Sequence, residues 1–325
     1  MQEAKARELS GAVPIIPIPF DAQENVDEEA LRRLVEFAVS KGFSGICLPA
    51  YLSEFYKLSE PERIHVVKIA VSQAAGRLLV IAQSNHGSSR VALEMARAHV
   101  ENGADLISVL VPRMFALSDD DLLRYLKPIL NGVNVPSLVQ DYHPGGSTIG
   151  PSFASRLSDE CPRFRYLKLE EPEVMTKLIA IREATQDQIK VLDGTGGLYL
   201  MELIPAGISG VMSGLGFADA LNVVFKLRAA HKYEDASELY EKLLPRIAFG
   251  AQNFELILYC EKRLLQARGL LKSARCRDAS IAPDLHTVRY VDEMNERIMR
   301  AFEDYRRSKR YLCFRHAIQR FRMAV

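Results

Sequence analysis

The stretch Arg165-Tyr166-Leu167-Lys168-Leu169-Glu170-Glu171-Pro172 is too short for a helix, and its reading decides the fold. Strand alternation puts Tyr166, Lys168 and Glu170 on one side and Leu167 and Leu169 on the other. Two environments suit such a strand. One is a sheet edge whose polar face meets water; the other is a closed sheet whose inward face carries a lysine. A buried ammonium group is poorly solvated and readily loses its proton, which leaves an amine able to attack a carbonyl and form a Schiff base. The neighbouring segments favour the second environment.

Working outward, the chain alternates apolar runs with helical stretches. Ala12 to Phe20, interrupted by Pro14, Pro17 and Pro19, reads as a short buried strand opening into a loop. Further strands are expected over Gly45–Leu48, Leu78–Ala82, Leu106–Val111, Pro136–Tyr142, Tyr166–Glu170, Lys190–Asp193 and Gly210–Ser213. Between them, Asp27 is placed to cap a helix carrying Leu31, Leu34, Val35 and Ala38, and Ser59-x-x-Glu62 forms a capping box. Ser118 followed by Asp119, Asp120 and Asp121 marks another helix start, where the dipole favours acidic residues. Eight apolar runs without hairpin signals predict parallel strands closed into a (β/α)8 TIM barrel. An open doubly wound sheet would show a glycine-rich phosphate turn after the first strand, where Pro17-Ile18-Pro19-Phe20 stands instead. Chemistry then gathers at the carboxyl ends of the strands, at Ser53 and Glu54, Asn85 and His86, Tyr142, Lys168, Thr195 and Ser213.

Beyond Gly214 the pattern is helical: Ala218 to His231, Tyr233 to Phe249 and Phe254 to Ala267. These helices have no strands to cover, so they are expected to pack on the side of the barrel or to make a subunit contact. The organisation read from the chain is a barrel over 1–216, a C-terminal helical extension over 217–304 packed on it, and a basic tail over 305–325. That tail is either a basic amphipathic helix or a frayed, disordered extension.

Composition removes several function classes. Of 325 residues, 48% are hydrophobic and 26% charged, with a net charge of +1, so no overall field draws the chain to nucleic acid or an acidic membrane. Cys47, Cys161, Cys260, Cys276 and Cys313 form no CxxC pair and no metal-ligand cluster. No apolar run reaches the length of a membrane span, and the charged first ten residues lack an apolar signal core. A reducing cytoplasmic location is the expectation.

Taken together, Lys168 in Tyr-Leu-Lys and Tyr142 in Asp141-Tyr142-His143-Pro144 resemble the dihydrodipicolinate synthase / N-acetylneuraminate lyase family of class I, pyruvate-handling aldolases. Ser53-Glu54-Phe55-Tyr56-Lys57-Leu58-Ser59 is similar to the family's carboxylate-binding turn and following helix cap. Leu192-Asp193-Gly194-Thr195 and Gly207-Ile208-Ser209-Gly210-Val211-Met212-Ser213 resemble its signatures on strands seven and eight. The resemblance spans about residues 10 to 300. It implies that Lys168 forms a Schiff base with a 2-oxo acid, that Tyr142 relays protons beside it, and that Tyr51, Leu52, Ser53, Gly194, Thr195, Met212 and Ser213 line the substrate pocket. It also implies a dimer or a dimer of dimers. No metal or organic cofactor is required for this route.

The departures narrow the reaction. Ala50-Tyr51-Leu52-Ser53 lacks one of the family's hydroxyl donors, although backbone N–H groups of the turn remain to bind a carboxylate. Pro112-Arg113-Met114-Phe115 has no tyrosine, and no arginine follows Tyr142 through Thr148, which argues against the second substrate of lysine biosynthesis. The expected activity is therefore an aldolase, lyase or dehydratase acting on a 2-oxo acid. The alternative is a catalytically impaired relative that binds a small carboxylic acid as a sensor or scaffold. Glu54 is expected to brace its turn rather than touch substrate. Glu170 and Glu171, facing opposite sides of a strand, are not expected to share a site.

Overall fold

In the computed structural model, which describes residues 7–113, 116–143, 148–171 and 174–322, eight strands and the helices between them form a closed parallel barrel. The strands are β1 (Gly11–Ala12), β2 (Gly45–Leu48), β3 (Leu79–Gln83), β4 (Leu106–Leu110), β5 (Ser137–Tyr142), β6 (Phe164–Glu170), β7 (Lys190–Asp193) and β8 (Gly210–Val211). Every neighbouring pair is parallel, and β1 pairs with β8. The ring closes at Ile15, which bridges to Cys47 on one side and to Gly214 on the other. β1 is only two residues long because the prolines that follow it cannot donate to a ladder.

Around the barrel run α1 (Glu28–Ser40), α2 (Glu60–Ala74), α3 (Ser89–Glu101), α4 (Asp119–Asn131), α5 (Pro151–Glu160), α6 (Val174–Ala184), α7 (Leu200–Leu203) and α8 (Ala218–Ala229). The helix starts read from sequence are formed as capped ends. Asp27 accepts from the Ala30 N–H, and capping boxes stand at Ser59/Glu62 and Ser118/Asp121.

Alternation along the strands sorts the core into two layers. Ile15, Cys47, Ile81, Leu106, Leu138, Tyr166, Leu192 and Met212 fill the barrel interior. Leu167 and Leu169 join Ile46, Leu48, Val80, Ile107, Val139 and Val191 in the layer shared with the helices. Lys168, one step above Tyr166 on the inward side, therefore enters the barrel near its carboxyl end.

Three further helices follow: α9 (Tyr233–Gly250), α10 (Phe254–Ala267) and α11 (Leu285–Arg322). Their placement goes beyond side packing, because the α9–α10 junction reaches over the barrel mouth. α11 carries the backbone through residues 305–322, the segment for which a disordered extension was one expectation. No glycine or proline interrupts Leu285–Arg322, so no residue forces the helix to stop.

The chain between α10 and α11 is tied back to the barrel by Arg277, whose guanidinium reaches Glu62 at 2.8 Å and the Lys57 carbonyl at 2.9 Å. Arg277 holds the Glu62 carboxyl down to about 2 from an ordinary 4.5. A depressed acid stabilises the fold above its unfolded value and loses that contribution as pH falls from about 4.5 towards 2. Glu62→Gln is expected to melt about 2 °C below the parent at neutral pH, with the gap closing below pH 4.5. A gap independent of pH in thermal melts would remove this account.

Candidate active site

At the carboxyl end of the strands lies a cavity of about 330 Å³ whose wall includes Lys168 and Glu170 from β6, Tyr142 from β5, and Tyr51 and Leu52 from the turn after β2. Gly194 and Thr195 follow β7, and Met212 follows β8. Lys168 is 4% exposed, and its Nζ lies 2.6 Å from Glu170 Oε1. Glu170 is in turn held from behind. Gln140 Nε2 donates to Glu170 Oε2 at 2.8 Å, and Gln83 Nε2 donates to Gln140 Oε1 at 2.5 Å. Register places Gln140 beside Lys168 and Tyr142 beside Glu170, so two adjacent strands deliver all four groups to one spot.

Tyr142 sits in an aromatic rim. Its ring centroid is 5.6 Å from that of Tyr51 and 5.1 Å from that of Phe254, both edge-on. Burial, and then the Glu170 charge, push the Tyr142 hydroxyl above its ordinary range. The same two causes, followed by the neighbouring Tyr142, push Tyr51 up to about 12. Both phenols therefore keep their protons and act as hydrogen-bond donors at neutral pH.

The β7 side is shaped by Asp193, which is fully buried and accepts from Thr195 Oγ1 at 2.6 Å, Thr195 N at 2.8 Å and Gly197 N at 3.0 Å. Burial raises its carboxyl to about 6 despite those donors. The loop it holds brings Gly194 against Glu170. A Cβ at 194 would stand 2.1 Å from Glu170 Cγ, so only glycine admits the carboxylate here.

Of the nine residues picked out from sequence, Lys168, Tyr142, Tyr51, Leu52, Gly194, Thr195 and Met212 border this cavity. Ser53 and Ser213 do not. Both are fully buried and spend their hydroxyls on main-chain carbonyls, Ser53 on Ile16 at 2.6 Å and Ser213 on Gly214 at 3.1 Å. Thr195, although on the wall, has its hydroxyl committed to Asp193.

Glu170 and Glu171 both border the cavity, contrary to the strand argument, because β6 ends at Glu170 and alternation ends with it. They serve different partners: Glu171 pairs with Lys177 at 2.7 Å and accepts from Thr148 Oγ1 at 2.5 Å.

Several residues of the site had no role in the sequence reading. Phe254 and Arg246 come from the helices after the barrel, where no motif marked them. Arg113, in the segment noted for its missing tyrosine, grips buried Asp141 with both ends of its fork, at 2.8 and 2.5 Å. Asp141 also takes the Ile149 N–H, so it binds the segments after β4 and β5 together. Glu54 does brace its turn. It is fully buried at a φ of 57°, pairs with Lys57 at 3.1 Å and with fully buried Lys262, and accepts from the Arg277 N–H at 2.9 Å.

Comparison with known proteins adds an independent line. A model described as "Dihydrodipicolinate synthetase family" matches residues 8–284. L-2-keto-3-deoxyarabonate dehydratase of Azospirillum brasilense is 25% identical over 280 residues, covering 85% of this chain and 89% of the relative. 4-Hydroxy-tetrahydrodipicolinate synthase of Chloroherpeton thalassium is 31% identical over 209 residues, 64% of this chain and 68% of the relative. Among solved structures, dihydrodipicolinate synthase of Rhodopseudomonas palustris superposes with a TM-score of 0.83 at 25% identity, covering 89% of this chain and 97% of that one.

Proposed function

Since the chain belongs to the dihydrodipicolinate synthetase family, we propose that it is a lyase whose Lys168 forms a Schiff base with a 2-oxo acid, and that the bond it breaks is carbon–oxygen, with loss of water. The observation that carries this reading is the Lys168–Glu170 contact of 2.6 Å inside the cavity. An amine beside a carboxylate that Gln140 holds in place has an adjacent acceptor for the proton it must shed before it attacks.

The sequence of steps follows from those groups. The Lys168 amine adds to the C2 ketone and water leaves, giving an iminium that draws electrons from its neighbours. Glu170 then takes a proton from C3, and the electron pair flows into the iminium to form an enamine. The enamine expels the hydroxyl on C4, which departs as water with a proton supplied by Glu170 or Tyr142. Hydrolysis frees the lysine and the product, so one water is lost overall. The substrate's own carboxylate is held at the Tyr51–Ser53 turn, whose internal bonds begin at the Ser53 N–H and leave the amides of Tyr51 and Leu52 to donate.

Dehydration is favoured over carbon–carbon chemistry by the Glu170 base and by the 85% of this chain that aligns with a relative named as a dehydratase. A binding protein without turnover is the second reading, and the Ser53 hydroxyl, spent on Ile16, favours it.

Incubation with pyruvate or L-2-keto-3-deoxyarabonate followed by borohydride separates the two. The lyase reading expects a stable mass increment on the peptide containing Lys168, together with water loss from the hydroxylated substrate. An unmodified Lys168 with either compound would overturn it.

A further inference from the structure

Arg246, near the C-terminal end of α9, borders the same cavity as Lys168 and is only 3% exposed. Among the described residues its Nε and Nη2 have no hydrogen-bond partner. A guanidinium withdrawn from water and left without an acceptor is costly to keep, and the buried arginines of stable folds are normally paired.

The groups facing it explain why it is unsatisfied. The Phe217 ring lies 6.0 Å from its Cζ and offers only a weak attraction. Gly250 presents no side chain, and a Cβ there would sit 2.9 Å from Nη1. Glu261 from α10, a charged neighbour, directs its hydrogen bonds to the main chain after β8. Its carboxylate accepts from the Gly216 N–H at 2.5 Å and from the Leu215 N–H, and it interacts with Arg246 through charge alone.

We propose that Arg246 is an anion subsite for the end of the substrate remote from the ketone, and that the group it takes is a second carboxylate. This assignment rests on Lys168 marking the ketone end. A planar fork of N–H donors fits a carboxylate through two parallel hydrogen bonds. A carboxylate brings one negative charge beside Glu261 where a phosphate dianion would bring two, so Glu261 disfavours the dianion more strongly. The substrate class is then a 2-oxo dicarboxylic acid, bound at one carboxylate by the Tyr51–Ser53 turn and at the other by Arg246.

The test compares acids of equal length by titration calorimetry: 2-oxoglutarate against 2-oxopentanoate, and 2-oxoadipate against 2-oxohexanoate. The parent protein is expected to bind at least one diacid about tenfold more tightly than its monoacid partner. In Arg246→Met that ratio falls to about one, with Arg246→Lys in between, because a point charge keeps the attraction but not the fork. Equal affinities in the parent, including no binding of any of the four, would overturn the subsite, as would a preference surviving in Arg246→Met. Should Arg246→Met fail to fold, the parent ratio and Arg246→Lys still decide. Borohydride added to the same samples reads Lys168 separately. A diacid preference without adduct keeps the subsite and discards the Schiff base; adduct without preference does the reverse.

Discussion

Lys168→Ala is expected to lower turnover about a thousandfold or more and to abolish borohydride trapping while the barrel stays folded. The amine is the one nucleophile the proposed route uses, and among the described residues of the cavity wall no other amine replaces it. Cys47 lies close enough to feel the Lys168 charge, but burial pushes its thiol up to about 12, so it is not a thiolate at neutral pH. Among the described residues the substitution leaves Glu170 with Gln140 as its hydrogen-bond partner, so the alanine variant removes both the nucleophile and the cation beside the carboxylate. Lys168→Arg resolves this. It keeps a cation against the carboxylate yet cannot form the imine, so it should be as inactive as the alanine variant and closer to the parent in stability. Steady-state rates and thermal melts of the three proteins provide the check. Turnover within tenfold of the parent in either variant would end the covalent mechanism.

Glu54→Ala is expected to cost about 3–5 kcal/mol of stability, the largest loss from any single substitution considered for this fold. Surface pairs such as Arg77 with Glu36 contribute little, because water competes for both partners. The ammonium groups at Glu54 have almost no water to turn to: Lys262 is wholly buried and the Lys57 side chain is 4% exposed. Lys57 keeps Glu255 at 2.7 Å, whereas among the described residues Lys262 keeps no anion, only the Arg275 carbonyl at 2.8 Å and the face of the Phe20 ring at 4.5 Å. Removing Glu54 therefore strands one buried cation and loosens the turn that begins the cavity wall. Chemical unfolding should report the loss directly, and a weaker affinity for 2-oxo acids should accompany it. A cost under about 1 kcal/mol would mean that water reaches the cluster.

What could be read in advance depended on how local the signal was. The inward lysine came from alternation within seven residues of β6, and the capped helix starts came from pairs three residues apart. Glu170 was placed on the correct face by that same alternation. Its pairing with Lys168 was open to inference from the i, i+2 spacing, yet it was considered only as a partner for Glu171. The directions of the Ser53 and Ser213 hydroxyls were not legible, because a motif marks a position and not where a hydroxyl points; both turn to nearby carbonyls. Arg246, Glu261 and Phe254 were out of reach. They lie on amphipathic helices whose pattern says only which side is buried, and the mouth they cover belongs to strands far away in sequence.

The two glutamines behind Glu170 bear on traffic through the barrel. Carboxamides orient a neighbour but do not readily pass an ionisable proton along, so the Gln83–Gln140 relay insulates the rear of the site instead of wiring it to the far side. In the proposed route, hydrogen ions exchanged at Lys168 and Glu170 would then pass by way of the cavity mouth, where Tyr51, Tyr142 and Phe254 meet. On that reading, the molecule standing in the mouth would set when the site regains its protons.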